Sequence, residues 1–138
     1  MKQIFMTKTT LAPITLNLWL DGRVSPKARP RVSNGHAYLP NAYRKWKHDA
    51  VLELLCQLGS RDCLPIAVPV AVEIALTGSS HRGDLDNLAG AVLDALVEAS
   101  VLTDDRLSCV PKLVVTHTPN GKCGASIAIT ELILTETK

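Results

Sequence analysis

No Cys-x-x-Cys pair occurs in this sequence, whose four cysteines, Cys56, Cys63, Cys109 and Cys123, stand singly. Without a paired-cysteine motif, reduced thiols in a cytoplasmic protein are the expectation. A membrane-length apolar run is also missing: the longest, "LPIAVPVAV" from Leu64 to Val72, is far shorter than a span and contains two prolines. The N-terminal stretch breaks its apolar runs with Lys8 and Pro13, unlike a signal peptide. There is no internal repeat, no low-complexity tract and no composition shift that would mark a boundary. The 138 residues therefore read as one domain, long enough to bury roughly two-thirds of the surface of the unfolded chain. Residues 1–12 are expected to form a loosely ordered extension.

Charge of one sign is missing from two long segments. Between Arg23 and Lys47 there are seven basic residues (Arg23, Lys27, Arg29, Arg31, Arg44, Lys45, Lys47) and no acidic one. Between Asp84 and Asp105 there are six acidic residues (Asp84, Asp86, Asp94, Glu98, Asp104, Asp105) and no Lys or Arg. The net charge of +2 conceals both. A basic segment suits a polyanion, and carboxylates beside it would repel that polyanion unless a cation lay between them.

Alternation over Ile14 to Gly22 predicts a half-buried strand. "SPKARPRVSNGHAYLP" holds three prolines and an Asn-Gly pair, which predict a loop or a short irregular hairpin. From Asn41 to Leu58, Tyr43, Trp46, Ala50, Val51, Leu54, Leu55 and Leu58 recur at helical spacing, and Gly59 is a plausible stop. A buried strand is expected at Val68 to Gly78 and a second helix from Asp84 to about Ala99. Two further strands are expected at Leu107 to Thr118 and Ala125 to Leu134, joined by a "PNGK" turn. This order predicts a compact α/β (α+β) sandwich, a mixed sheet packed with two main helices. Trp19 and Trp46 are assigned to the core.

On the second helix Leu85, Leu88, Ala89, Val92, Leu96 and Ala99 share the core face, and Asp86, Gly90 and Asp94 follow one another on the opposite side. Asp84 falls at the N-cap, where a carboxylate contributes about 1 kcal/mol by accepting orphan N–H groups. Asp86 has no such account. At an effective dielectric of about 20, two carboxylates 4 Å apart repel by roughly 4 kcal/mol, so a converging pair calls for a cation. Oxygen-only ligands favour Mg²⁺ or Mn²⁺ over zinc. "DLDNLAGAVLDA" lacks the Gly at its sixth position and the Glu at its twelfth that a calcium EF-hand requires. Asp104 and Asp105 offer further carboxylates, or simply a solvated loop.

"RGDLDNLAGAVLDALVEASVLTDDR" resembles the signature of the RusA family of Holliday junction resolvases, and "PKARPRV", "NGHAYLP" and "YRKW" are similar to the family's N-terminal half. The resemblance implies that Asp84, Asp86 and Asp105 are catalytic and bind Mg²⁺, with Mn²⁺ as a substitute and Asp104 as a neighbouring ligand. It implies a homodimer that cuts four-way DNA junctions by paired nicks in recombination and repair, encoded by a bacterium or a phage. No membrane and no small-molecule cofactor are expected. Lys27, Arg29, Arg31, Arg44, Lys45, Lys47 and Arg82 are the candidates for holding DNA phosphates. The alternative is a branched-DNA-binding protein that cuts weakly or not at all.

A helix of this length runs roughly 20 Å, which carries Asp105 away from Asp84. Either the chain folds back along the helix, or Asp105 meets the Asp84 and Asp86 pair of another subunit. Some enzymes of the family that this chain resembles carry a lysine one turn after the second aspartate of the pair, where Gly90 stands here. Arg82, Arg106 or a partner's cation could substitute, the protein could bind junctions but cut poorly, or Gly90 could admit close approach of another helix at the dimer interface. His81 is expected to be incidental, and His36, His48 and His117 show no metal-ligand spacing.

Overall fold

Leu16, Leu18 and Leu20 are buried while Thr15, Asn17 and Asp21 are exposed, so the first strand, β1 (Thr15–Asp21), turns one apolar face inward as its alternation requires. The computed structural model describes residues 14–61 and 63–132. The loose extension expected at 1–12 lies outside them, as does the end of the last predicted strand. In chain order, β1 is followed by β2 (Arg31–Ser33), β3 (His36–Tyr38), α1 (Asn41–Leu58), β4 (Val70–Thr77), α2 (Leu85–Glu98), β5 (Lys112–Thr118) and β6 (Gly124–Glu131). β1, β6, β4 and β5 lie side by side in that order as one mixed sheet, and β2 and β3 form a separate hairpin. The register aligns Leu18 with Ile127, Ile127 with Ile74, and Ile74 with Val115, which places the apolar residues on one face.

Both helices bury their apolar stripes in that core. α1 contributes Tyr43, Ala50, Leu54 and Leu58; α2 contributes Leu88, Ala89, Ala91, Val92, Leu93, Ala95 and Leu96. Each fully buried Leu or Val stabilises the fold by about 1.5–3 kcal/mol relative to exposure. β4, α2 and β5 form a crossover unit, and the helix between them is what allows β4 and β5 to pair in parallel.

Several expectations change in detail. Leu107 to Pro111 is not strand, because the Cys109 and Val110 amides both donate to the Arg106 carbonyl and wind that segment into a turn. Leu85 and Leu55 are 44% and 46% exposed, so the core face of α1 is narrower than its periodicity implied, while α2 loses Leu85 from its core face and buries Ala91, Leu93 and Ala95 beyond it. Trp46 does pack against the core in part. Trp19 does not belong to it: it sits on the opposite face of β1, above Gly124, where any Cβ would collide with its ring. The proline-rich segment forms the short hairpin β2–β3, turned at Asn34 and Gly35 and exposed along its whole length.

Candidate active site

Helix α2 carries carboxylates at both ends, and its apolar stripe fixes where they point. Asp84 occupies the N-cap with extended backbone, and its carbonyl accepts the Leu88 amide at 3.0 Å. Its carboxylate makes no capping hydrogen bond. The cap that would have explained Asp84 structurally is not formed, and the side chain is exposed beside Asp86. Asp86 Oδ1 accepts the Asn87 amide at 2.9 Å, leaving its second oxygen without a partner among the described residues.

The basic segment lies along the same helix. Pro26 packs against Gly83, where an added Cβ would stand 3.1 Å from Pro26 Cγ and where φ of +101° suits glycine. The Lys27 amide donates to the Asn87 carbonyl at 3.2 Å. From there the Lys27 side chain crosses Gly90, where a Cβ would lie 3.1 Å from its Cδ, and ends 3.3 Å from Asp94 Oδ1. Asp94 Oδ2 accepts the Tyr43 hydroxyl at 2.8 Å. Burial, and then the hydrogen bond to Asp94, push the Tyr43 hydroxyl far above its ordinary pKa. What approaches Gly90 is therefore a lysine of this chain's own loop. Arg82 and Arg106 are engaged elsewhere, Arg82 with the carbonyls of Ser79 and His81 and Arg106 with Asp104.

At the far end of α2, Asp104 and Asp105 share a cleft of about 280 Å³ with Lys47, Asp94, Val97 and Glu98. Arg106 stands 2.7 Å from Asp104 and, with the Asp105 amide, holds the Asp104 carboxyl below its usual pKa. The chain thus turns back only to the level of Asp94, about 15 Å along the helix from Asp84. Among the described residues, no three Asp, Glu, His or Cys side chains group closely enough to hold a metal ion. Asp84 and Asp86 lie at the start of α2, and Asp104 and Asp105 share the cleft at its other end. Their all-oxygen donor set suits a hard divalent cation, but one chain does not gather the full set expected.

A second cleft of about 630 Å³ is lined by Arg44, Lys45, Lys47 and His48, with Glu98 also on its wall. The Lys47–Glu98 ion pair, 3.3 Å apart, joins it to the acidic cleft. Lys45 pairs with Asp49 at 3.0 Å, and Arg29 and Arg31 are exposed on the loop and on β2. Of the candidate phosphate-binding residues, Lys27 and Lys47 thus pair with carboxylates of the acidic helix.

His81 is not incidental. It is buried, accepts the Val24 amide at Nδ1 (3.3 Å), and through Nε2 reaches the carbonyls of Thr77 (2.9 Å) and Gly124 (3.2 Å). These contacts require the tautomer with hydrogen on Nε2. His81 ties the start of the basic loop to the sheet three residues before Asp84, a role without any sequence signal. Asp94 had a signal, its position two turns after Asp86 on the same face. His117 donates through Nε2 to the Gly78 carbonyl at 2.8 Å, and all four cysteines are unpaired thiols. No helix among the described residues is long and apolar enough to cross a membrane.

Comparison with protein-family models matches residues 21–130 to endodeoxyribonuclease RusA, a span covering every candidate residue above. No curated protein matches the chain.

Proposed function

The chain belongs to the RusA family of endodeoxyribonucleases, and from that premise we propose that it is a Mg²⁺-dependent nuclease that resolves four-way DNA junctions in recombination and repair. The observation that carries this reading is the Asp84 carboxylate: it stands at a helix N-cap without capping the helix, exposed beside Asp86, with a basic loop seated along the same helix. A structural aspartate would make the cap. Asp84 and Asp86 would hold the cation, with Asp105 and its neighbour Asp104 completing the set. When bound, Mg²⁺ supplies an activated water and offsets charge on the phosphorane-like transition state.

The chain's own side chains do the rest. Arg29, Arg31, Arg44 and Lys45, with Lys27, Lys47 and Arg82, attract and hold backbone phosphates, a contact that fixes register without reading sequence. Asp84 and Asp86 repel those phosphates until a cation intervenes, so metal and DNA support each other's binding. Because Asp105 lies at the other end of α2, we assign the complete set to a homodimer in which the acidic ends of two α2 helices face each other. The competing reading, a branched-DNA binder that does not cut, draws support from the incomplete carboxylate set within one chain.

A labelled four-way junction and a linear duplex, each with Mg²⁺ or with chelator, separate these readings. Paired nicks in the junction that depend on Mg²⁺ support the nuclease; retention without nicks supports the binder; neither result excludes both. Asp84→Asn should reduce cutting by at least about 10²-fold while junction binding holds or tightens, because a repelling charge is gone. Unfolding of Asp84→Asn would instead assign that residue a structural role.

A further inference from the structure

We propose that Gly90 is a track kept clear for Lys27, and that Lys27, carried across it from the basic loop, is the cation that meets the scissile phosphate beside the acidic helix. The inference rests on the nuclease reading and adds to it the residue that contacts the reacting group and the two that position it.

Three contacts along one line support it. The Lys27 amide is bonded to the Asn87 carbonyl, so the backbone of Lys27 is anchored one residue past Asp86. Its Cδ lies 3.1 Å from where a Cβ on Gly90 would stand, closer than an ordinary contact, so any side chain at position 90 would push the stem aside. Its ammonium rests 3.3 Å from Asp94 Oδ1, with 46% of the Lys27 side chain exposed against 24% of the Asp94 side chain. Asp94 is oriented in turn by the Tyr43 hydroxyl. A half-exposed ion pair of this kind is weakly held, so a phosphate entering beside Asp86 can take the ammonium from Asp94. Glycine costs a helix interior stability relative to alanine, and clearance for Lys27 accounts for its presence here. Asp94 and Tyr43 are positioning residues: they hold the lysine along the helix when no DNA is present.

The test relocates the charge. Lys27→Met should lower single-turnover cutting of a four-way junction in Mg²⁺ about 10²-fold, with binding in chelator weakened only a few-fold. Lys27→Ala removes the stem as well as the charge, so adding Gly90→Lys to it fills the emptied track and returns an ammonium to the same helix face, and should restore at least about a tenth of the unaltered rate. Thermal midpoints measured beside the rates show whether each variant is folded. As a readout independent of cutting, Gly90→Ala should lower the midpoint with Lys27 present and raise it in a Lys27→Ala background. Cutting by Lys27→Met at the unaltered rate would overturn the inference and leave the nuclease reading intact. So would a folded double variant no faster than Lys27→Ala, or Gly90→Ala acting alike in both backgrounds. If the unaltered protein cuts nothing, the nuclease reading fails, and the role assigned to Lys27 fails with it.

Discussion

Tyr43 and Asp94 meet across the two helices, the hydroxyl donating to Oδ2 at 2.8 Å while Lys27 lies on Oδ1. Burial, then Asp94, favour the neutral phenol, so Tyr43 ionises well above the ordinary value of 10.0. An acid whose folded pKa is raised gives stability that is whole below its unfolded pKa and is lost as pH climbs past it toward the folded value. The protein should therefore lose stability as pH rises from about 10. Tyr43→Phe should cost about 1 kcal/mol at neutral pH through the lost hydrogen bond, yet lose less with further alkalinity than the unaltered chain. Urea midpoints of both across that range decide it, with Tyr38→Phe as the exposed control; parallel curves would refute the assignment. At this scale the sequence was only partly legible. The Asp84 and Asp86 pair stood out because two like charges at a helix start need a reason. The passage of Lys27 over Gly90 did not, because no pattern within either segment encodes a contact between residues sixty-three positions apart.

Elements were more legible than contacts, for a physical reason: periodicity reports burial, and burial is what the core imposes. Both ends of α1 follow from its apolar stripe and from Gly59, and β1 and β4 follow from alternation. The 107–111 segment misled because its apolar residues serve a turn rather than a strand. The sheet's β1 edge is a further element-scale feature that periodicity does not carry. Among the described residues β1 pairs only with β6, and the backbone of Trp19 is met instead by Gln57 of α1, whose Oε1 accepts the amide at 2.8 Å and whose Nε2 donates to the carbonyl at 2.6 Å. Glu53 accepts the Asp21 amide at 2.9 Å one turn earlier. A side-chain amide thus stands where a neighbouring strand would, and an edge covered this way does not template pairing with other chains. Gln57→Leu should destabilise the fold by about 1 kcal/mol and speed hydrogen exchange at the Trp19 amide while leaving that at Leu18 unchanged. Uniform acceleration along β1 would mean that Gln57 acts on global stability alone.

Across the whole molecule, the opposed charge segments, evident in the sequence, become neighbours in space: the basic loop lies on α2 through Pro26 against Gly83 and Lys27 across Gly90. The separation of Asp84 from Asp105 also persists, and it makes the assignment to two subunits testable by mixing. Consider Asp84→Asn and Asp105→Asn, each inactive alone. If each site lies within one subunit, every site in a mixed dimer keeps its defect and the mixture stays dead. If Asp84 of one subunit works with Asp105 of the other, a mixed dimer holds one site with both defects and one with neither. Equal mixing with free exchange makes about half the dimers mixed, and about a quarter of all sites intact. The product follows from the same count: one working site per dimer gives a nicked junction rather than two resolved duplexes. Denaturing gels would then show single-strand cuts, while native gels show the four-way species persisting. An inactive mixture whose components exchange and still bind the junction would place the whole carboxylate set within one chain, and would require Asp105 to travel along α2 when metal and DNA bind.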